Sequence, residues 1–308
     1  MKNKEFPRNL VLLFLIAVTS IFIIGSNFIY SWSAGPNYEN VTIRTIVNIT
    51  QSRPTILSIV VDEASDNITL NAGLTRTVIC NLTVRDWNGW NDVIGVNATF
   101  WDNNSVSMSN SDDENNHYTN ATCTNTGNDG NYISYWDCAF DILYYANNGS
   151  NWICNSTVID NYNFTDTAFN TTTINPLYAL NVTTQIDYGD LAVEDTSTSR
   201  TANVTNFGNM AIDVSIYGYG GTNFETGNGL AFICQIGNIT VDNERYSTDD
   251  IAWASMTQLT NESATISGLT LPQRTDLEVV NITYWKLYVP PNPYGECNGT
   301  IVFAAELP

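Results

Sequence analysis

Oxygen-bearing side chains cluster in one short stretch of the chain, where Asp86, Asn88 and Asp92 lie within seven residues of one another. Carboxylate and amide oxygens at this close spacing are what calcium sites use. The same residue types also favour a turn between strands, because they accept local hydrogen bonds and positive φ angles. We therefore expect either a tight turn or a calcium site here, and no other cofactor.

Catalytic chemistry has little support in the sequence. The single histidine, His117, follows the acidic run Ser111–Asn116, which we interpret as a solvated loop in preference to a second metal site. No Gly-x-Ser-x-Gly, His-Glu-x-x-His or phosphate-binding glycine motif is present, and no pair among the many carboxylates stands out. We expect no catalytic residue and no enzyme activity.

Three tryptophans are candidate binding residues. Trp87 and Trp90 lie in the Asn- and Gly-rich stretch, and Trp101 shares strand parity with Asn97 and Thr99, which we expect to face solvent. Exposed aromatic rings can stack on sugars or form the centre of a protein interface. The alternative is that these rings pack over the end of a β-sandwich.

Acceptor sites for N-glycosylation are abundant. The chain has seventeen Asn-X-Ser/Thr sites, about twice the roughly eight that its composition would give by chance. In eleven of them the middle residue is apolar, so that on a strand the Asn and the Thr would face solvent while the middle residue packs inward. The candidate sites are Asn40, Asn48, Asn67, Asn81, Asn97, Asn103, Asn120, Asn148, Asn155, Asn163, Asn170, Asn181, Asn203, Asn238, Asn261, Asn281 and Asn298.

Residues 1–34 have the pattern of a membrane anchor or a signal peptide. Three basic residues precede the apolar run Leu10–Gly25, and the hydrophobic segment ends near Trp32. We prefer a retained single-pass anchor that leaves the rest of the chain on the extracellular face of the cytoplasmic membrane. Cleavage after Ser33 and secretion is the alternative.

The chain is strongly acidic. It has 31 acidic and 11 basic residues and a net charge of −20. This charge repels nucleic acid and anionic lipid, so we expect neither as a partner of the exported part. Membrane association is expected only through the N-terminal segment.

Short runs of alternating apolar and polar residues, separated by Gly, Asn and Asp, predict an all-β protein that follows an N-terminal hydrophobic helix. Residues 35–54 are expected to be a juxtamembrane β-segment or linker, because Val41–Thr50 alternates well. A first β-sandwich domain is expected at residues 55–174 and a second at 177–308, with a break at Asn175-Pro176.

Several motifs resemble known surface proteins. Val204–Val214 resembles the N-x-G-N-x-x-(I/L)-x-V hairpin of bacterial-type Ig-like domains on prokaryotic surfaces, and Leu287–Pro290 with Tyr294–Phe303 resembles their last two strands. Asp86–Val93 and Tyr145–Asp160 resemble repeats of archaeal surface glycoproteins. The resemblance implies tandem Ig-like domains in a cell-surface or S-layer-associated protein, and it implies no catalytic residue.

Two cysteines match the Ig-like pattern. Cys80 and Cys154 face inward on an early and a late strand, as in the inter-sheet bridge of immunoglobulin-like sandwiches, and Trp152 would be a core residue near that bridge.

The six cysteines as a group indicate disulfides in an oxidising compartment, because they include no Cys-x-x-Cys pair. Fifteen pairings are formally open. Cys123 and Cys138 flank a loop of turn residues and are expected to staple a hairpin. By elimination, Cys234 pairs with Cys297.

Three functions fit these features. The first is a membrane-tethered structural or adhesive glycoprotein whose partners are other surface proteins or glycans. The second is a secreted filament subunit, a homo-oligomer in which Val41–Thr50 adds as a strand to the sheet edge of the next copy. The third is a glycan-binding module that uses Trp87, Trp90 and Trp101.

Overall fold

The computed structural model describes residues 42–64 and 67–308 of the chain. The expected anchor or signal peptide, residues 1–34, lies outside the described residues. Within these two ranges, no helix combines the length and the apolar character needed to cross a membrane. Residues 51–308 form one compact unit that contains two separate hydrophobic cores. The assignment of residues 55–174 and 177–308 as separate domains stays a prediction.

The segment that precedes the first strand is the one expected to be a β-segment or a linker. Residues 42–54 have no regular secondary structure, and Ile43, Val47 and Ile49 are 84%, 79% and 88% exposed. A period-two pattern forms a strand only where a neighbouring strand completes its hydrogen bonds, and none of the described strands pairs with this segment. Residues 42–54 therefore have the irregular backbone of a linker, and the assignment of residues 35–54 as a β-segment or linker stays a prediction.

Nine strands build the first sandwich. They are β1 (Thr55–Val61), β2 (Asn67–Ile68), β3 (Thr75–Arg85), β4 (Val93–Asp102), β5 (His117–Asn120), β6 (Thr124–Asn128), β7 (Ile133–Leu143), β8 (Gly149–Asp160) and β9 (Thr165–Ile174).

The strand order of the first sandwich is that of an immunoglobulin fold. One sheet has the order β1-β3-β7-β6 and the other β2-β9-β8-β4-β5. In the lettering used for immunoglobulin domains, β1, β3, β7 and β6 correspond to strands A, B, E and D. In the other sheet, β9, β8 and β4 correspond to strands G, F and C. The strands are antiparallel except that β2 runs parallel to β9. The all-β, Ig-like prediction is confirmed.

Side-chain alternation explains why these strands form. In β3 every second residue from Val78 to Val84 is buried, as the pattern predicts. Five acceptor triplets follow the same rule, because their middle residues are 0–2% exposed: Ile68, Leu82, Ala98, Val204 and Ile239. Others do not, because the middle residues Ile49, Ala121 and Ile282 are exposed. On the facing sheet Trp152 is fully buried, as expected for a core residue.

Ten strands and one short helix build the second sandwich. They are β10 (Leu180–Val182), β11 (Arg200–Asn206), β12 (Ile212–Gly220), α1 (Phe224–Gly227), β13 (Leu230–Ile236), β14 (Asn238–Thr240), β15 (Glu244–Ser247), β16 (Thr257–Gln258), β17 (Ala264–Leu271), β18 (Val280–Leu287) and β19 (Tyr294–Glu306). Single 3₁₀ turns cover Asp62–Ala64, Trp90–Asp92, Val241–Asn243 and Trp253–Ser255.

The second sandwich repeats half of the immunoglobulin order and changes the other half. The sheet β10-β11-β18-β15-β16 again has the A-B-E-D order, and in the sheet β14-β13-β19-β12-β17 the strands β12 and β19 pair as C and F do. However, β13 lies beside β19, where the last strand of an immunoglobulin domain would lie. The last strand of this chain is therefore enclosed by neighbours on both sides.

The motif Val204–Val214 is not a hairpin, contrary to the expectation. Strand β11 pairs with β10 and β18, whereas β12 pairs with β17 and β19, so this connection crosses from one sheet to the other. The buried Asn206 side chain holds the crossing, because its Nδ2 donates to the carbonyl oxygens of Met210, Leu271 and Pro272 at 2.7–3.2 Å. A side-chain amide thus supplies the bonds that a hairpin ladder would have supplied.

Polar and aromatic contacts join the two sandwiches. Gln273 Nε2 donates to the carbonyl oxygen of Tyr145 at 2.7 Å, and Asn115 Nδ2 donates to the carbonyl oxygen of Arg274 at 2.9 Å. The Arg274 guanidinium lies 4.5 Å from the centre of the Tyr145 ring. These contacts bridge the chain on either side of the break expected at Asn175-Pro176.

Candidate metal centre

Three aspartates from separate parts of the chain meet at one end of the first sandwich. Asp86 follows β3, Asp92 directly precedes β4, and Asp160 is the last residue of β8. The pairing of β4 with β8 places Val93 opposite Asp160. Each aspartate offers a carboxylate oxygen, and the three oxygens lie within 4.8 Å of one another.

Local turns fix the first two carboxylates. Asp86 Oδ1 accepts a hydrogen bond from the backbone N–H of Asn88 at 2.8 Å. The chain turns at Gly89, whose φ of 129° favours glycine. The 3₁₀ turn then positions Asp92, and its Oδ1 accepts from Asn161 Nδ2 at 2.9 Å.

The turn between β8 and β9 fixes the third carboxylate. Asp160 Oδ1 accepts from the backbone N–H groups of Tyr162 and Phe164, both at 2.8 Å. Asn163 in the same turn has a φ of 64°, a conformation that asparagine tolerates better than most residues. The three aspartates thus share one feature, because Oδ1 of each accepts a hydrogen bond from a turn residue. In Asp86 and Asp160 the donor is in the same turn, and in Asp92 it is Asn161 of the turn between β8 and β9.

The second oxygen of each carboxylate has no protein partner. Oδ2 of Asp86, of Asp92 and of Asp160 is buried, and no group of the described residues donates a hydrogen bond to it. The whole side chains of Asp86 and Asp160 are 0% exposed. A buried polar atom without a partner is costly, so three in one place need a physical reason.

The electrostatics of the cluster are unfavourable without a cation. Two ionised carboxylates whose oxygens lie within 4.8 Å of each other repel each other by at least about 3 kcal/mol at an effective dielectric constant of about 20. Burial raises the pKa of Asp86, as do the charges of Asp92 and Asp160, while the hydrogen bond from Asn88 lowers it. None of the ion pairs among residues 42–64 and 67–308 involves these three aspartates.

The structure changes the ligand set expected from the sequence. Asp86 and Asp92 are brought together, but Asn88 is not the third member, because its Oδ1 accepts from the backbone N–H of Ser52 at 2.6 Å. Asp160 takes that place. It lies 68 residues beyond Asp92 in the sequence, and only the pairing of β4 with β8 brings it close.

The three tryptophans do not form one surface. Trp87 is 56% exposed and stacks against the Arg85 guanidinium at 4.6 Å, and Trp90 lies half-buried in the 3₁₀ turn. Trp101 is near the opposite end of β4, so it lies roughly 30 Å from the other two tryptophans, given a rise of about 3.3 Å per residue along a strand. It is also 6% exposed, which corrects the expected exposure.

A covering loop explains the burial of Trp101. Residues 103–116 connect β4 to β5 and return over the outer face of the sheet, where Met108 Sδ contacts Asn155 Nδ2 at 3.3 Å. His117 is also buried, and its two ring nitrogens contact Asp112 Oδ1 at 3.0 Å and the carbonyl oxygen of Met108 at 3.1 Å. Both partners belong to the loop, so His117 holds the loop in place.

Most acceptor asparagines are accessible. Of the sixteen that the structure describes, eleven are exposed, four are half-buried and one, Asn155, is buried at 8% exposure. The exposed ones are Asn48, Asn67, Asn97, Asn103, Asn148, Asn163, Asn170, Asn181, Asn203, Asn238 and Asn298, and the half-buried ones are Asn81, Asn120, Asn261 and Asn281. Asn40 lies outside the described residues.

The structure contains three disulfides, between the same cysteines that the sequence analysis pairs. Cys80–Cys154 joins the two sheets of the first sandwich, Cys123–Cys138 joins the residue before β6 to β7, and Cys234–Cys297 links two opposite residues of one sheet. No cysteine within the described ranges is left unpaired.

A cleft of about 1050 Å³ opens between the two sheets of the second sandwich, a feature that the sequence analysis missed. Its walls include Phe232, Leu287 and Ile301, and the carboxyl group of Glu244 lies at its base. Glu244 is 2% exposed, and its Oε1 accepts from the Tyr188 hydroxyl at 2.7 Å. Burial raises the pKa of Glu244 to about 7, and the Tyr188 hydrogen bond opposes part of this rise.

Comparison with known proteins finds distant structural similarities and no family for this chain. No protein-family model and no curated protein matches the chain. Among solved structures it is similar to the CsuC–CsuE chaperone–tip adhesion subunit complex of Acinetobacter baumannii Csu pili, with 12% identity over 78% of this chain and 97% of that chain and a TM-score of 0.34.

Two further structures are comparably distant. A carbohydrate-binding module of the β-sandwich superfamily has 10% identity over 84% of this chain and 99% of that chain, with a TM-score of 0.25. The chaperone–tip adhesin complex of CFA/I fimbriae has 8% identity over 83% and 84%, with a TM-score of 0.29. At TM-scores this low, nothing about ligands or assembly follows for this chain.

Proposed function

We propose that this chain is a non-enzymatic, N-glycosylated surface protein with a structural or adhesive role. In this proposal residues 1–34 tether it to the outer face of the cytoplasmic membrane, and its partners are other surface proteins or glycans. An S-layer-associated protein of archaeal type is the most specific form of the proposal.

The distribution of acceptor asparagines carries this proposal. Exposed sites occur on both sandwiches, for example Asn97 and Asn170 on the first and Asn203 and Asn238 on the second. Glycans at such positions would cover the protein on several sides. The three disulfides support an oxidising location, since such bonds persist mainly outside the cytoplasm.

Mass spectrometry of the protein isolated from its own cells tests both parts of this proposal. We expect a peptide from within residues 1–30 in the membrane fraction and glycans on exposed asparagines such as Asn97 and Asn203. A mature N-terminus near Ala34 would contradict the tether. A chain without a single modified asparagine would contradict the glycoprotein.

One observation favours a second candidate, the secreted filament subunit. The segment 42–50 lacks regular secondary structure and exposes Ile43, Val47 and Ile49, and it has no strand partner among the described residues. Strand β17 (Ala264–Leu271) lies at the edge of its sheet, where β12 is its one partner among the described strands. After cleavage near Ser33, Val41–Thr50 of one copy would add to this edge in the next copy.

Electron microscopy of the mature protein distinguishes the two candidates. If the filament form is correct, wild-type protein forms filaments, and Ile43→Asp with Val47→Asp abolishes them because two apolar contacts of the added strand are lost. The matched control is Thr42→Asp with Arg44→Asp on the other face of the segment. Equal filament yield from both double variants would contradict assembly through this segment.

A further inference from the structure

The geometry points to a calcium site formed by Asp86, Asp92 and Asp160 at the end of the first sandwich. This inference does not depend on the proposed surface function, because it rests only on the carboxylates and their surroundings. The proposed ligand is a single Ca²⁺ ion per chain.

Buried oxygens without a partner are the first argument. In each of the three aspartates Oδ1 already accepts a hydrogen bond from a turn residue, and this bond accounts for the structural role of the carboxylate in the turn. Asn would serve that role equally well, since its side-chain oxygen accepts the same hydrogen bond. The buried Oδ2 atoms of Asp86 and Asp160, on side chains that are 0% exposed, have no such explanation. A cation between the carboxylates would bind these oxygens and neutralise their repulsion.

The type of the ligands favours a hard cation, and their spacing is compatible with calcium. All three are carboxylate oxygens, and the cluster contains no histidine or cysteine, so a hard cation is favoured over zinc or copper. Two oxygens that bind one Ca²⁺ at about 2.4 Å can be at most about 4.8 Å apart, and the three oxygens meet this limit. Mg²⁺ at about 2.1 Å requires a tighter, nearly octahedral set.

The ion would connect two turns of the chain that already share the hydrogen bond from Asn161 to Asp92. Asp86 and Asp92 flank the loop between β3 and β4, and Asp160 opens the turn between β8 and β9. The chain enters this end of the sandwich at Ser52, whose backbone N–H donates to Asn88 in the same loop. Calcium would therefore order the end at which the sandwich is attached to the preceding segment.

Calcium titration of the full-length protein tests the site. The protein is treated with EGTA and dialysed, and CaCl₂ is added during isothermal titration calorimetry and thermal unfolding under non-reducing conditions. We expect one ion per chain and a Tm that rises with CaCl₂ concentration, because an ion that binds only the folded state stabilises it. Asp86→Asn and Asp160→Asn should each weaken binding by about tenfold or more, because the number of charged ligands sets the affinity.

A matched control separates this site from general ion effects and from calcium bound by glycans. Asp249→Asn removes one exposed carboxylate of the second sandwich and should keep the wild-type affinity and Tm response. The inference is overturned if wild-type Tm is the same in EGTA and in CaCl₂. This measurement does not depend on whether any variant folds. It is also overturned if Asp86→Asn and Asp160→Asn respond to calcium as wild type does, or if MgCl₂ binds more tightly than CaCl₂.

Discussion

Replacing Glu244 by glutamine should remove a large pH-dependent contribution to the stability of the second sandwich. Burial at the base of the cleft raises the pKa of this carboxyl group from 4.5 to about 7. A pKa difference of one between the folded and unfolded chain corresponds to about 1.4 kcal/mol, so ionisation of Glu244 costs the folded state about 3 kcal/mol. Glutamine has nearly the same shape, and its amide oxygen can still accept the Tyr188 hydrogen bond.

The direction of the effect follows from the raised pKa. Because the pKa is higher in the folded chain than in the unfolded chain, the folded state binds the proton more tightly. The resulting stability is complete below pH of about 4.5 and is lost as the pH rises through about 7. The Tyr188 hydroxyl stays protonated throughout, since its pKa is raised well above 10.

Urea unfolding under non-reducing conditions measures this contribution. Between pH of about 4.5 and about 8, the difference in unfolding free energy between the Glu244→Gln variant and wild type should change by about 3 kcal/mol in favour of the variant. Glu262→Gln, which changes an exposed carboxylate, is the control and should show no such change. If the difference between Glu244→Gln and wild type is the same at both pH values, the reasoning is refuted.

Three further results are expected. Peptide mapping after enzymatic deglycosylation should find Asn155 unmodified and the exposed Asn163 modified, because Asn155 lies under the loop at residues 103–116; a glycan on Asn155 would contradict the placement of that loop. Trp152→Ala should lower the unfolding free energy by about 3–5 kcal/mol in urea titrations, as a large cavity would form in the core; a loss below about 1 kcal/mol would contradict its full burial. Replacing Cys123 and Cys138 together by serine should cost roughly 3 kcal/mol in the same assay, since the bridge closes a loop of 15 residues; unchanged stability would show that the bridge restrains little.

The strands could be predicted because their signals are local, and the inter-sheet bridge because inward-facing cysteines on an early and a late strand match the immunoglobulin-like pattern. Alternation along β3 shows which face is buried, and Cys80 lies on that face, as Cys154 does on β8. Each such pattern is complete within about ten residues. No knowledge of the partner strand is needed to recognise it.

The errors concern contacts between distant parts of the chain. Asp160 could not be assigned to the metal centre without the register of β4 against β8. Trp101 has the parity of an exposed residue, but the loop between β4 and β5 returns over its face of the sheet. Asn206 looks like a turn residue, although its side chain reaches backbone that lies 65 residues further along the chain. In each case, tertiary packing decides the role of a residue whose local pattern predicts another.

The positions of the disulfides limit how far the chain can be stretched. Cys80–Cys154 and Cys234–Cys297 close segments of 74 and 63 residues, which would have contour lengths of about 250 Å and about 210 Å if they were extended. A pulling force on the two ends of the chain bypasses both segments, since it is transmitted through the sulfur atoms. Even if both sandwiches lost their hydrogen bonds under shear, most of their length would stay folded back, and the chain would lengthen only by its unbridged parts.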